Sequence, residues 1–329
     1  MQKARAVTAK PRRKKAVVVA DADPVFPVFG RFIDAPQPAL RIEIIRVFAP
    51  LATLGFMSSR LAHVDEWIGE GGFHVPDLGG SDWRQPLYIP QLPSWAAFAV
   101  GAIMVASGLA VSVGLRARRA ALIFAATLVF VALSDRLSAF TVSKLSPAVM
   151  LALAASPCGE RYSLDAWLRR RRDPDFTPKD EIPGGSIRFF QLLLVVFYSA
   201  SGIFKIRNEW LKSPIVLWTH LHDSYQTSIS YWLSFAVPTF GWTALQGVVL
   251  ILETLAPVWF ALRRTRTPAL VLAVGMHAMI GLMFWPVRWF ALLMITMWLG
   301  AYLPDGAIAR LSRFLSRERA APEPSVPGA

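Results

Sequence analysis

Three ionisable side chains stand inside or at the ends of long apolar runs. Lys205 lies in YSASGIFKIRNEW, residues 198–210, close to the end of such a run. Glu253 sits near the middle of GVVLILETLAPVWF, and His277 near the middle of LAVGMHAMIGLMF. A charge at the centre of a bilayer costs about 2.5–3.5 kcal/mol on insertion scales, so each of these groups needs a reason to be there. Tyr198, Ser201, Gly202 and Lys205 fall at i, i+3, i+4 and i+7 and therefore share one helix face. Small residues on that face let a second helix or a ligand approach the backbone. Glu253 and His277 fall at similar depth on consecutive segments of opposite direction, so they can pair if their faces meet. Spacing puts Lys205 about two turns nearer the outer face than that level.

Two readings of Lys205 stay open. It can be a terminal lysine that snorkels to the surface. It can equally be a desolvated base. Amines with a reference pKa near 10.4 are protonated at neutral pH, and those that act as bases are brought down to about 7–8 by their surroundings. Glu253 with His277 likewise reads either as a structural pair or as a proton-handling one. Lys144, in TVSKLSP, is a second cation near the outer face and could line an electropositive cavity with Lys205. Trp210 ends the Lys205 stretch, and His220 and His222 lie beyond it in THLHD with Asp223. Imidazole and carboxylate suit zinc or iron, but residues at i and i+2 point to opposite sides of a helix, and no metal is expected. The expected site is thus Lys205, His277 and Glu253 as chemical groups, with Tyr198, Gly202, Lys144, Trp210 and His220 around a substrate.

These groups must be positioned by membrane helices. The 329 residues are 54% hydrophobic and only 17% charged, with mean hydropathy +0.42. Twelve tryptophans and 21 phenylalanines suit interfacial anchoring. One cysteine, Cys158, leaves no intramolecular disulfide, zinc cluster or CxxC motif to build. The net charge of +13 comes in short blocks between apolar runs, which is the pattern of a membrane protein rather than of a nucleic-acid binder.

Eight stretches approach the length needed to cross about 30 Å of hydrocarbon. They are Ile42–Leu61, Trp95–Leu115, Ala120–Ser134, Thr141–Pro157, Phe189–Ile206, Thr243–Leu262, Pro268–Trp285 and Val287–Leu303. The third and fourth are short and could form one re-entrant hairpin, with Asp135, Arg136 and Ser138 at their junction. Arginine blocks at 116–119, 169–172, 263–266 and 310–319, with the basic N-terminal tail, all fall on one side of an eight-helix bundle. The positive-inside rule makes that side cytoplasmic, with both termini inside a bacterial inner membrane. The 64–94 connection, acidic with Asp65, Glu66, Glu70, Asp77 and Asp82 against Arg84, is then outside. So is the 207–242 connection, whose Trp210, Trp218, Tyr231, Trp232 and Trp242 suggest short interfacial helices covering what lies beneath. The N-terminal stretch shows no cleavable signal sequence, because Ala16–Ala20 is too short an apolar run. Residues 1–38 are expected to be a disordered basic tail, 39–305 the transmembrane domain, and 306–329 a basic helix and disordered tail. Glu43 and Arg46 are one turn apart and should pair. Ser163 should cap a short helix beginning at SLDAW.

YSASGIFKIRNEW resembles the Y-x-x-(A/S)-G-x-x-K-x-x-x-x-W motif of the HTTM family, which includes vitamin K-dependent gamma-glutamyl carboxylase. Glu253-Thr-Leu-Ala-Pro257, the basic turn 263–266 and Gly275-Met-His277-Ala-Met279 resemble the family's later motifs in order and spacing. Arg41-Ile-Glu-Ile-Ile-Arg46 resembles its first helix, and Pro157 to Asp165 its central loop, so the likeness covers about residues 38–305. The resemblance implies an all-α polytopic fold in which Lys205 deprotonates reduced vitamin K or a related quinol, with no metal. The chain has Val142-Ser-Lys144 where the carboxylase has an asparagine–histidine pair. It has no counterpart of the carboxylase's large domain outside the membrane, so quinol chemistry is expected rather than carboxylation of a protein. The expected partners are the bilayer, a lipophilic quinol or an exported peptide, and no nucleic acid. Two rival readings are a non-catalytic binding, immunity or assembly protein that uses the aromatic 207–242 connection, and a proton-coupled transporter with Glu253–His277 as relay. The second rival lacks paired half-helices or an internal repeat.

Overall fold

The computed structural model describes residues 27–72, 89, 91–134, 141–222, 226–285 and 287–317. Outside them lie most of the N-terminal tail, His74, Asp77, Asp82 and Arg84 of the acidic connection, the Asp135–Arg136–Ser138 junction, Asp223, and the tail beyond 317.

The described chain is an all-α bundle. In order it runs α1 (Pro27–Asp34), α2 (Leu40–Leu61), α3 (Val64–Ile68), α4 (Ser94–Val113), α5 (Ala117–Ser134), α6 (Thr141–Ala155), α7 (Leu164–Arg172) and α8 (Gly185–Arg207). It continues with α9 (Val216–His220), α10 (Ser228–Ala236), α11 (Thr239–Thr254), α12 (Ala256–Ala261), α13 (Arg263–Met283), α14 (Arg288–Tyr302) and α15 (Asp305–Arg317). One short antiparallel pair joins β1 (Gln37–Pro38) to β2 (Glu181–Ile182). Residues 27–38, expected to be tail, therefore form a helix and a strand.

Among the described residues four helices, α4, α5, α8 and α13, are long and apolar enough to cross a membrane, or up to six spans if each of two bent pairs counts as one. The expected eight is a larger number, and the reasons are physical. The α2 helix carries Arg41, Glu43, Arg46 and Arg60 within its 22 residues. The α6 helix has only 15 residues. The expected sixth segment breaks at Leu255, where Pro257 in the first turn of α12 has no N–H to carry the α11 ladder onward. The 207–242 connection does fold into short helices, and α10 meets α11 at a bend of 114°.

Apolar burial forms one main core running through the bundle. The α2 and α14 helices lie against each other along their length, with a glycine near each end of the contact. A methyl group on Gly55 would come within 2.5–2.7 Å of the Trp289 ring, and one on Gly300 within 2.9 Å of the Arg41 carbonyl oxygen. Such small-residue contacts are how helices pack without a hydrophobic drive between them.

The turns that carry Arg41, Arg188, Arg263 and Arg266 meet at one end. Arg46 is completely buried and pairs with Glu43 at 2.5 Å. Its other nitrogens donate to the carbonyls of Val111 at 2.8 Å, Ser112 at 2.5 Å and Tyr162 at 2.5 Å. Glu43 in turn accepts from the Gly159 amide at 2.9 Å. One charge pair thus ties α2 to the end of α4 and to the turn before α7. Ser163 caps α7 as expected, accepting from the Ala166 amide at 3.0 Å. Cys158 lies in the same turn, and burial pushes its thiol up from 9.0 to about 11.

Glu43→Ala leaves Arg46 buried without its counter-charge, so it should lower stability by about 3–5 kcal/mol, with Glu43→Gln milder. Thermal unfolding in detergent reads this directly. Cys158 should react with maleimide at pH 8 at least about 100-fold more slowly in the folded than in the unfolded chain, because its thiolate is scarce and covered.

Candidate functional site

The α8 helix carries the site. Its face Tyr198–Ser201–Gly202–Lys205 turns toward α11, α13 and α14, with Tyr198 and Gly202 buried. Two clusters form along it, two turns apart.

The first cluster is built on Lys205. Its ammonium ion-pairs Glu253 on the last turn of α11 and donates to Ser201 Oγ at 3.2 Å. The Lys205 side chain keeps 18% exposure and that of Glu253 8%. Ser201 is one turn nearer the start of α8, so the amine points back into the bundle, the direction in which helical side chains lean. The alternative, a lysine reaching outward past Arg207, is not the geometry adopted. Above the amine lies the ring of Trp210, with Nζ 4.8 Å from its centroid.

Two features make this meeting possible. Gly202 lets the α11 backbone touch α8: a Cβ there would be 2.6 Å from both the amide nitrogen and Oγ1 of Thr254. Gln246, buried on α11, holds the connection that carries Trp210. It donates to the carbonyls of Trp210 at 2.6 Å and Ser213 at 2.8 Å, and accepts from the Leu217 amide at 3.3 Å.

The second cluster contains His277, 3% exposed. Its Nε2 lies 2.6 Å from the Tyr198 hydroxyl, which accepts from Trp298 Nε1 at 2.9 Å. A phenol has one proton to give. With Trp298 donating to one lone pair, the Tyr198 hydroxyl can give its own proton to Nε2. The histidine proton then sits on Nδ1, which is buried with no hydrogen-bond partner among the described residues.

The expected Glu253–His277 pair is therefore divided between two partners. Glu253 goes to Lys205 and His277 to Tyr198, because α11 packs on α8 at Gly202, with Thr254 against it. Lys144 is exposed at the start of α6 and is not among the partners of Lys205. His220 is exposed, and His222 packs its ring 4.1 Å from that of Trp218. Among the described residues no group of three His, Cys, Asp or Glu is placed to hold a metal. Trp298, Gln246 and Thr254 did not stand out in the sequence. Trp298 had one available signal: an indole N–H in an apolar run needs an acceptor.

A cavity of about 540 Å³ opens at the Lys205 end of the bundle. It is lined by Phe56, Arg60, Val142, Trp285, Arg288 and Phe290 among others, and by no residue of the two clusters. Phe290 also packs on His277, with centroids 5.6 Å apart, and on Phe197 at 6.4 Å. The volume and the mixture of aromatic walls with a few polar groups suit a ring-bearing ligand. The 207–242 connection folds over this end, where Thr227 Oγ1 donates to the Leu282 carbonyl at 2.8 Å and Leu221, Trp242 and Met283 form a second small core.

Gly202→Ala should wedge α11 away from α8 and cost about 1–3 kcal/mol, visible as a lower Tm. Gln246→Leu removes the three bonds that seat Trp210, so hydrogen exchange over residues 209–217 should rise while α13 and α14 stay protected.

No curated protein and no solved structure matches the chain. The family model for the HTTM domain matches residues 85–303, beginning after α2 and α3 and taking in every residue of both clusters. The chain is thus a multi-pass helical membrane protein that belongs to the HTTM domain family.

Proposed function

We propose that the protein is a membrane enzyme that removes the proton of a lipophilic quinol at the Lys205 end of the bundle. The observation that carries this reading is the Lys205–Glu253 ion pair, covered by Trp210 and set two turns from the Tyr198–His277 cluster. An amine that already holds a proton cannot take another, so the base is the pair. As an ammonium with a carboxylate, or as an amine with a carboxylic acid, it can accept one proton. The quinol O–H breaks, Glu253 ends protonated, and the Lys205 ammonium stays beside the quinolate oxygen. Opposite charge at that point is worth most where water is excluded. Trp210 supplies an aromatic face for the quinol ring to displace or stack on. Tyr198 and His277 can pass a proton along the same helix face toward the level of the Phe290 wall.

The family resemblance supports reduced vitamin K or a related quinol as substrate, with oxygen as the later oxidant. On this reading the arginine-rich end is cytoplasmic, both termini are inside, and the quinol enters from the outer leaflet of a bacterial inner membrane.

Purified protein in nanodiscs, given a short-chain naphthoquinol, should consume oxygen. Lys205→Ala and Glu253→Gln should each lower the rate by about 10²–10⁴-fold, the usual weight of a general base. Full activity in Lys205→Ala would end the proposal.

One observation favours a second reading. Tyr231, Trp232, Phe235 and Phe240 are 59%, 66%, 73% and 78% exposed on α10 and the start of α11. A surface this aromatic can dock a peptide or membrane partner without catalysis. Deleting residues 228–236 would then abolish function, while Lys205→Ala would leave it intact.

A further inference from the structure

A second cavity, about 490 Å³, opens at the opposite end of the bundle, where the arginine-bearing turns meet. Arg41, Arg188, Arg263 and Arg266 line it, with Asp305 as the one carboxylate. It lies between the start of α2, the first turns of α8 and α13, and the end of α14.

Most of these arginines are braced from behind. Arg41 is 5% exposed and donates to the Leu303 carbonyl at 2.7 Å and to Asp305 at 2.6 Å. Arg188 donates to Gln191 Oε1 at 2.8 Å and lies 4.2 Å from the Phe32 ring centroid. Arg266 donates through Nε to the Phe260 carbonyl at 3.0 Å. Arg263 is exposed at the rim.

The bracing does not satisfy them. The Nε atoms of Arg41 and Arg188 are buried with no hydrogen-bond partner among the described residues. Those two atoms lie out of a ligand's reach, so what the cavity offers is the terminal guanidinium nitrogens of the arginines that line it. Arg188 also bears the like charges of Arg266 and Arg41, opposed by Asp305. Asp305 is 85% exposed and reaches Arg41 from the solvent side, so it does not fill the cavity. The first turn of α13, with Arg263 and Arg266, adds the positive end of a 21-residue helix. The negative end of α14 is already occupied, since Arg41 and Gln191 take its last carbonyls.

We propose that this cavity binds a phosphate group carried by a larger molecule. A carboxylate offers two oxygens, which one guanidinium fork can occupy. A phosphate offers three or more to several forks at once, and guanidinium geometry matches it. The cavity exceeds a lone phosphate, so the group arrives with a substituent. Its source is a phospholipid headgroup of that leaflet or a soluble phosphate compound.

The test uses the full chain in phosphate-free maltoside micelles, with two probes. Native mass spectrometry reads retention of phosphatidylglycerol, with diacylglycerol as the phosphate-free comparison. Thermal unfolding reads stabilisation by inorganic pyrophosphate. Wild type should retain phosphatidylglycerol over diacylglycerol, or be stabilised by pyrophosphate. Retention of the lipid alone assigns the headgroup, and stabilisation by pyrophosphate assigns a soluble ligand. Arg188→Gln and Arg263→Gln should each weaken the effect by about tenfold, the scale of one charge-assisted bond. Arg310→Gln, outside the cavity on α15, should not. Arg263 is exposed, so its variant keeps the test sound if Arg188→Gln fails to fold. Indifference of wild type to both probes, or equal binding in Arg263→Gln, Arg310→Gln and wild type, would overturn the site.

Discussion

A carboxylate buried among apolar helices has to be paired, and Glu253 finds its partner on the neighbouring helix. Much at the Lys205 end of the molecule answers to that requirement. The α8 and α11 backbones must touch, so residue 202 has no side chain. Segment six breaks at Leu255, two residues beyond Glu253, with Pro257 in the turn that follows. The amine must not escape to solvent, so it bonds back to Ser201 and meets Trp210 above. Removing either charge leaves the other buried alone, which is far costlier than the pair itself.

The same physics works differently at the two ends. Arg46 spends its nitrogens on Glu43 and three carbonyls, and Glu43 also accepts from Gly159. That pair is saturated by turns it has to hold, which is the mark of a structural bridge. Around α8 the polar groups are less fully used. Lys205 presents its remaining face to an aromatic ring, and His277 keeps a ring nitrogen without a partner among the described residues. Groups held firmly but not saturated are the ones that can exchange a proton or receive a ligand.

Much of this was legible beforehand. Helical spacing put Tyr198, Ser201, Gly202 and Lys205 on one face, and that face carries both polar clusters. The Glu43–Arg46 pair and the Ser163 cap followed from local rules and stand in the structure. Local rules fail where depth has to be counted across helices. Counting from the ends of straight segments put Glu253 beside His277, but the packing of α11 on α8 sets it beside Lys205. Gln246 and Trp298 act across 36 and 100 residues of sequence, distances at which no spacing rule speaks. The same holds for the arginine cavity, whose walls come from turns far apart in the chain.

By itself the sequence determined that this chain forms apolar helices with charges at their ends, and which ionisable residues stand where lipid should be. Those follow from composition and period, which act within a few turns. Only the tertiary structure decided which charge meets which, because that depends on helix breaks, crossing glycines and the reach of side chains. The pairing of Lys205 with Glu253, and the binding of His277 to Tyr198 instead, is such a decision.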